Sequence, residues 1–418
     1  MDESAGGSSY RWVILILGVL VVFASLGLAR FGYTMVLPAM QTGLQMDLTQ
    51  AGILATTNLA GYVALALLGG ALASRFGPRA VITAGLAAVG AGMLLTGLSQ
   101  GLVAAAVWRA VTGLGSGASN VPVMGLQAAW FSARRRGLAS GIVAGGSSVG
   151  LIVLGPVVPR ILASHGEGGW RTCWFAFAAV TLIVAALSLA LLRNRPSTAA
   201  PSAECEVQSE RPMAQGAAAG LQWGAVYASP AVWHLGLVYV AFGFSYIIYL
   251  TFFVKALMAE GHYTQPAAGS LFMTMGWCSL LCGVIWGAVS DAIGRKWALI
   301  IVYLIQATAF GLFGLWPTVA GFTLSAVLFG LTAWSIPAIM AAACGDMLGS
   351  RLTPAALGFI TLFFGIGQAL GPVVAGAVAD AAGSLLPPMV LAAGVALLGA
   401  FGALFIRPSA VRWQGDAA

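Results

Sequence analysis

The sequence predicts an all-α integral membrane protein: twelve transmembrane helices in two pseudo-symmetric six-helix bundles. Three observations predict it. Of 418 residues, 60% are hydrophobic and 7% are charged. The apolar residues fall in continuous runs of about 20 or more, the length that crosses a bilayer as a helix. Two short patterns recur about half a chain apart.

The composition excludes a water-facing surface. A soluble domain carries about 25% charged residues, so lipid must be the main solvent here. In hydrocarbon only helices and closed barrels satisfy their backbone. Barrel strands would alternate over about 10 residues, and these runs are unbroken. The first run, Trp12 to Met40, is too long for the apolar core of a signal peptide and is read as the first span.

Twelve spans are expected at 12–38, 48–73, 80–99, 102–130, 137–162, 170–192, 231–257, 266–289, 297–316, 319–346, 355–380 and 385–406. Residues 194–229, with "RPSTAAPSAECEVQSERP", hold little that could form a core and read as a linker. They divide the chain into an N-terminal bundle (1–193), a linker (194–229) and a C-terminal bundle (230–418).

Charge then sets orientation. Arg11, Arg75, Arg79, Arg134, Arg135, Arg136, Arg193, Arg195, Arg211, Arg295, Lys296, Arg351, Arg407 and Arg412 all fall on one side, 14 of the 19 Lys+Arg. The opposite connections, "LSQ", "WPT" and "GSLLPP" among them, are short and nearly uncharged, and only Arg160 and Arg171, flanking "ASHGEGG", sit near that side. Positive loops stay inside, so both termini and the linker are expected in the cytoplasm and the chain in the bacterial inner (plasma) membrane. The net charge of +7 is therefore a topology signal and does not imply nucleic acid. The five cysteines are scattered, and indicate neither a disulfide nor a metal.

The recurrences imply internal duplication. "GALASRFGPR" (70–79) is followed 217 residues later by "GAVSDAIGRK" (287–296). Gly155–Pro156 recurs as Gly371–Pro372, 216 residues on. Two matches at nearly one offset point to a repeated unit, as in many transporters.

These residues resemble the major facilitator superfamily over the whole chain. The loop motif G-x-L-x-D-R-x-G-R-[KR] is met by Gly70, Leu72, Arg75, Gly77 and Arg79, with Ser74 where the family has an acid. Gly287, Asp291, Gly294, Arg295 and Lys296 meet it again. "RAVTGLGSGAS" resembles the family's R-x-x-x-G-x-G-x-G, with Arg109 ahead of Gly113, Gly115 and Gly117, small residues that permit close helix packing. "GIVAGGSSVGLIVLGPVV" and "GIGQALGPVVAGAVAD" resemble its flexible fifth and eleventh spans. The resemblance implies two bundles rocking about a central site. It also implies a cytoplasmic gate at Arg75, Gly77, Arg79, Asp291, Gly294 and Arg295, weaker in the first half for want of the acid at Ser74. "GFITLFFGIGQALGP" is loosely similar to the monocarboxylate and oxalate porters of the superfamily. The arginine those carriers hold in the eighth span is absent from "LFMTMGWCSLLCGVIWG".

Within the spans charge is rare. Arg30 lies in span one and Arg109 in span four, while no Asp or Glu falls near the midplane. A cation in a membrane faces a cavity or a partner, and arginine grips carboxylate with two N–H groups. Arg30 and Arg109 are therefore expected to bind the negative group of a small organic anion such as a monocarboxylate. Arg30 could instead bond helix carbonyls, and Arg109 could serve packing or switching. Lys255 could reach the interface along its stem. By resemblance spans one, four, seven and ten line the cavity, which brings in Tyr33, Asn120, Tyr246, Tyr249 and Trp334. Gln127, Gln368 and Asn58 are further polar residues inside spans.

No catalytic constellation, nucleotide motif or cofactor site occurs, so the expectation is a transporter and not an enzyme. The expected mode is secondary active transport by alternating access, as a monomer, with a small anionic substrate and protons as the candidate coupling ion. Uniport and exchange stay open. The competing readings are efflux of drugs or other hydrophobic compounds, which would want a buried acid, and a receptor that moves nothing.

Overall fold

The computed structural model describes residues 4–131, 133–194 and 227–406, and the predicted linker falls largely outside them. Every regular element among the described residues is helical. Eight stretches are long and apolar enough to cross a bilayer, and ten when two bent pairs each count as one. One stretch, Gly137–Leu191, runs 55 residues and turns at Gly166–Gly168, so it holds two crossings. Leu102–Trp130 is 29 residues long, but Arg109, Asn120 and its small residues dilute its hydropathy. Counted together these match the twelve spans expected.

The N-terminal helices begin with α1 (Ser4–Val22), which runs without a break through a π-helical segment, Phe23–Phe31, into α2 (Gly32–Gly43). There follow α3 (Leu48–Phe76), α4 (Pro78–Leu98), α5 (Leu102–Trp130), α6 (Ala133–Ala144), α7 (Gly146–His165) and α8 (Gly169–Leu191). The C-terminal helices are α9 (Pro230–Ala259), α10 (Gln265–Ser279), α11 (Cys282–Ile293), α12 (Arg295–Leu315), α13 (Val319–Gly330), α14 (Ser335–Ala382) and α15 (Leu386–Leu404). Helix starts carry local chemistry: at α3 the Asp47 carboxylate accepts from Gln50 N at 2.6 Å, and Asp47 N donates to the Gln50 side chain at 3.2 Å. That reciprocal cap satisfies donors the helix cannot.

Three differences from the expected spans are informative. Span five is broken at Gly145 into α6 and α7. Span eight bends by 42° between α10 and α11. Spans ten and eleven are joined by helical backbone, so α14 has 48 residues. At 1.5 Å per residue that is about 72 Å, more than twice the thickness of the hydrocarbon core.

Small residues set how closely helices approach. A Cβ at Gly113 would lie 1.9 Å from the Asn58 carbonyl oxygen, and one at Gly117 2.3 Å from that of Tyr62. Both face α3. Gly115 faces α4 instead, where a Cβ would meet the Gly85 carbonyl at 2.5 Å. The alternating glycines thus serve two neighbours, because a spacing of two residues turns a side chain to the far side of a helix.

The duplicated loop motif is conformationally repeated. Gly77 has φ +84° and Gly294 φ +88°, each ending one helix and starting the next. Only glycine enters that region without cost.

N-terminal and C-terminal helices meet along α3 against α14 and α7 against α10. Every hydrogen bond between them among the described residues lies at mid-height or toward the end with few arginines. Asp380 accepts from Leu48 N (3.1 Å), Thr49 N (2.7 Å) and Thr49 Oγ1 (2.5 Å). Thr56 Oγ1 donates to Ala369 O at 2.7 Å, Gln265 Nε2 to Met35 O at 2.9 Å, and Ser279 Oγ to Ser148 Oγ at 2.8 Å. Toward the arginine-rich end Phe76, Leu281 and Val284 are exposed. The described hydrogen bonds between the halves thus gather at mid-height and toward one end.

Candidate functional site

At the centre, a cavity is lined by Arg30, Phe31, Tyr33 and Thr34 from the first span. Ala55, Asn58 and Leu59 join from α3, Arg109 from α5, and Ile247, Leu250 and Thr251 from α9. It measures about 10 Å³, room for about one water molecule. The lining holds two arginines and no carboxylate. None of the twelve acids of the chain is in this lining: Asp47, Glu167, Glu260, Asp291 and Asp380 fall at helix ends or in loops, Asp346 lies within α14 where spans ten and eleven join, and the others belong to the tails and linker.

Arg30 sits near the end of the π-helical segment, where an extra residue per turn widens the helix. Its guanidinium carbon lies 4.4 Å from the centre of the Tyr62 ring, a cation–π contact that shields one face. Its Nε and Nη2 atoms are out of solvent and have no hydrogen-bond partner. The alternative that Arg30 spends these donors on helix carbonyls does not hold for them.

Arg109 is 1% exposed. Nη1 donates to Ala29 O at 2.5 Å, and its guanidinium lies against the rings of Tyr33 (4.8 Å) and Trp174 (5.1 Å). Nε has no partner. Arg109 is thus partly committed to structure and partly available, and its main chain is held by Asn58 Nδ2, which donates to Arg109 O at 3.1 Å.

The other expected binding residues divide. Tyr33 lines the cavity, but its hydroxyl donates to Ala51 O at 2.8 Å. Asn120 donates through Nδ2 to the hydroxyl of Tyr62 at 3.0 Å. Tyr246 is buried in a stack with Phe242 and Phe364, and its hydroxyl accepts from Gln368 Nε2. It stands close enough to Arg30 and Tyr62 to interact with both. Tyr249 is not brought to the cavity: its hydroxyl pairs with Ser325 at 2.7 Å, inside an aromatic cluster with Phe253, Phe310 and Phe329. It lies three positions after Tyr246 and faces the core of the C-terminal helices. Trp334 packs with its ring tilted against Phe31 (5.5 Å between centroids), a cavity residue, and donates from Nε1 to Ser148 Oγ at 3.0 Å. It bridges the two halves just outside the cavity wall. Gln127 is buried between α5 and the first span, and Lys255 is half-buried with no bonding partner among the described residues.

Tyr62 was not foreseen as a site residue. It lies on span two, outside the four spans that the resemblance assigns to the cavity. The available signal was its position four residues after Asn58 in "TNLAGYV", on the same helix face.

Among the described residues, the loop-motif residues expected to gate make no hydrogen bond or ion pair across the halves. Arg295 pairs with Asp291 and with Asp346 (2.8 Å), and donates to Ser290 Oγ at 2.7 Å, all C-terminal. Arg79 donates through Nε (2.9 Å) and Nη2 to Leu189 O at the end of α8, and its N–H bonds Asn194. Arg75 lies beside the ring of Phe76. Ser74 bonds its own helix at Ala71 O, 2.8 Å. Each motif ties helices within its own half.

The family model described as the uncharacterised MFS-type transporter YbfB matches residues 22–404. The probable sulfoacetate transporter SauU of Cupriavidus necator is 24% identical over 94% of both chains. The hexuronate transporter of Bacillus subtilis is 22% identical over 91% of both, and the oxalate:formate antiporter of Oxalobacter formigenes 24% over 76% of this chain and 72% of its own. Among solved structures, a bacterial homolog of the human lysosomal transporter Spinster, inward-facing and unoccupied, superposes with a TM-score of 0.72. It covers 98% of this chain and 100% of its own at 16% identity. A variant of the nucleoside transporter NupG gives 0.74, at 13% identity over 94% and 99%. At these identities the structures show a shared fold.

Proposed function

Since the chain belongs to the MFS-type transporter family and is a multi-pass membrane transporter, not an enzyme, we propose that its substrate is a small organic anion held by Arg30 and Arg109. One observation carries this reading: a central cavity with two guanidinium groups, unpartnered N–H donors on both, and no carboxylate in its wall. Buried donors of that kind cost free energy unless a partner arrives, and an oxyanion is the partner whose charge and acceptors match. Proteins of similar sequence are named for anions (sulfoacetate, hexuronate, oxalate and formate), which supports the same class. A monocarboxylate is the simplest member of the class.

The mechanism we propose is alternating access. The site lies where the halves meet, and the hydrogen bonds between them gather at mid-height and toward one end, which supports a state parted at the other. With 14 of 19 Lys+Arg at the parted end in the sequence reading, that end is taken as cytoplasmic, in the bacterial inner membrane, with both termini inside. The absence of an acid from the cavity wall makes a protein-borne coupling proton unnecessary to the scheme. A proton carried on the substrate, or exchange for a second anion, balances the charge. Efflux of cationic drugs is disfavoured, because the lining carries two guanidinium groups and no carboxylate to offset a further cation.

The test is uptake by proteoliposomes containing the full chain. The probes are labelled formate, oxalate, sulfoacetate, a hexuronate and a lipophilic cation, with and without a pH gradient. At least one anion is expected to accumulate, and Arg30→Ala to lose it. Uptake of the cation alone, or anion uptake at normal affinity after Arg30→Ala, rejects the proposal.

A further inference from the structure

Two tyrosines flank the Arg30 guanidinium, one from each half of the molecule. Tyr62 of α3 presents its ring face at 4.4 Å. Tyr246 of α9 lies near both Arg30 and Tyr62. Each phenol oxygen is already an acceptor, Tyr62 from Asn120 Nδ2 at 3.0 Å and Tyr246 from Gln368 Nε2. A phenol that accepts from an amide keeps its own hydrogen for another partner. No described residue receives either hydrogen. The amides spend their nitrogens on the phenols and leave their oxygens unbonded. With the amides in this orientation, the free donor at each position is the tyrosine O–H. Arg30 adds Nε–H and Nη2–H, which are also unpartnered.

Four unpartnered donors thus lie on or beside the Arg30 guanidinium, carried on three helices next to the cavity lining, and a carboxylate offers about four lone-pair positions on two oxygens. We propose that Tyr62 and Tyr246 donate their hydroxyl hydrogens to the anionic head group that Arg30 holds, and that this pair selects oxyanions, carboxylate or sulfonate, over anions without directional acceptors. Asn120 and Gln368 are positioning residues that turn the two phenols. Because Tyr62 and Tyr246 sit on opposite halves, a head group bonded to both also ties the halves together at the site. The proposal rests on the anion reading above.

The test keeps both rings and removes only the hydroxyls. Binding of labelled formate, oxalate, sulfoacetate and a hexuronate is measured on the purified full chain and on Tyr62→Phe, Tyr246→Phe and Arg30→Gln, together with thermal unfolding and competition by chloride. Each phenylalanine variant is expected to raise the Kd of the bound oxyanion about tenfold or more, the effect of losing one hydrogen bond to a charged group. The chloride concentration that half-displaces a bound oxyanion falls in step, because chloride never used the hydroxyl direction, and the melting temperature stays unchanged. If Arg30→Gln abolishes binding while both phenylalanine variants bind as the unaltered chain does, the anion reading stands and the hydroxyl pair is rejected. A loss of affinity that tracks a loss of melting temperature marks a packing role and also rejects it. If none of the four anions binds the unaltered chain, the anion reading falls and takes this proposal with it.

Discussion

Arg109 Nη1 donates to the carbonyl oxygen of Ala29 at 2.5 Å, and Ala29 is the residue before Arg30. One arginine therefore fixes the backbone that presents the other. The bond ties α5 to the π-helical segment Phe23–Phe31 at the point where the widened turn carries Arg30 toward the cavity. The two cations share a cavity but differ in work: Arg109 is sandwiched by Tyr33 and Trp174, while Arg30 keeps two donors without partners.

That difference predicts different phenotypes. Arg30→Gln is expected to reduce anion uptake by more than tenfold at an unchanged melting temperature, since charge-assisted bonds contribute about 1.5–3 kcal/mol each. Arg109→Gln is expected to lower both uptake and melting temperature. Thermal unfolding in detergent beside proteoliposome uptake separates them, and equal melting temperatures for the two variants would contradict the division of labour.

Asp380 holds the closed end by accepting three bonds from Leu48 and Thr49 across the halves. Asp380→Asn removes the charge from all three. The population open at that end should rise roughly tenfold, the weight of one charge-assisted bond. A cysteine introduced by Ala55→Cys, on the cavity wall, would then react faster with a maleimide added from the arginine-poor side. An unchanged labelling rate would remove Asp380 from the closure.

Glycine contacts of similar closeness should matter in different ways. A Cβ at Gly113 would meet Asn58 O within the N-terminal helices, and a Cβ at Gly155 would meet Gly269 O across the halves at 2.5 Å. Gly113→Ala is expected to destabilise the fold by about 1–3 kcal/mol, as overpacking does. Gly155→Ala should leave melting nearly unchanged but hold the halves apart and slow transport severalfold. Melting curves and uptake rates on the two variants check the contrast.

With two guanidinium groups and no acid in the cavity wall, the unloaded site carries charge that a bound anion offsets. Reorientation with anion aboard should therefore be faster than reorientation without it. Uptake of the labelled anion is expected to rise severalfold when the vesicle lumen is preloaded with the same unlabelled anion. Equal rates into empty and preloaded vesicles would exclude this.

Much of the architecture was legible in the sequence because lipid imposes simple rules. Long apolar runs, arginines gathered on alternate loops, and glycines at 77 and 294 all express backbone or solvation demands that act locally. Arg30 was legible for the same reason, since a cation in an apolar run is conspicuous. Its surroundings were not. A regular helical wheel misplaces side chains beyond Phe23, because the π turns insert residues that no propensity announces. Tyr246 and Tyr249 look alike in "FSYIIYLTFF", yet one faces the arginine cluster and the other the aromatic core, and only the packing of α9 against α13 and α14 decides which. Tyr62 was hidden because its role depends on Arg30 and Asn120 approaching from other helices. The gate residues were legible as turns and caps, but which neighbour they would bind depends on the separation of the halves.

Where the halves meet at Gly155 and Gly269, and at Gly52 against the Pro372 carbonyl, backbone comes against backbone. A seam built this way has few long side chains to disengage at those points. Its mechanical resistance is then concentrated in a few discrete clasps, at Asp380, Thr56, Gln265 and Ser148. Turnover speed becomes adjustable by single polar substitutions along that line, while the shape of the two moving bodies stays as it is.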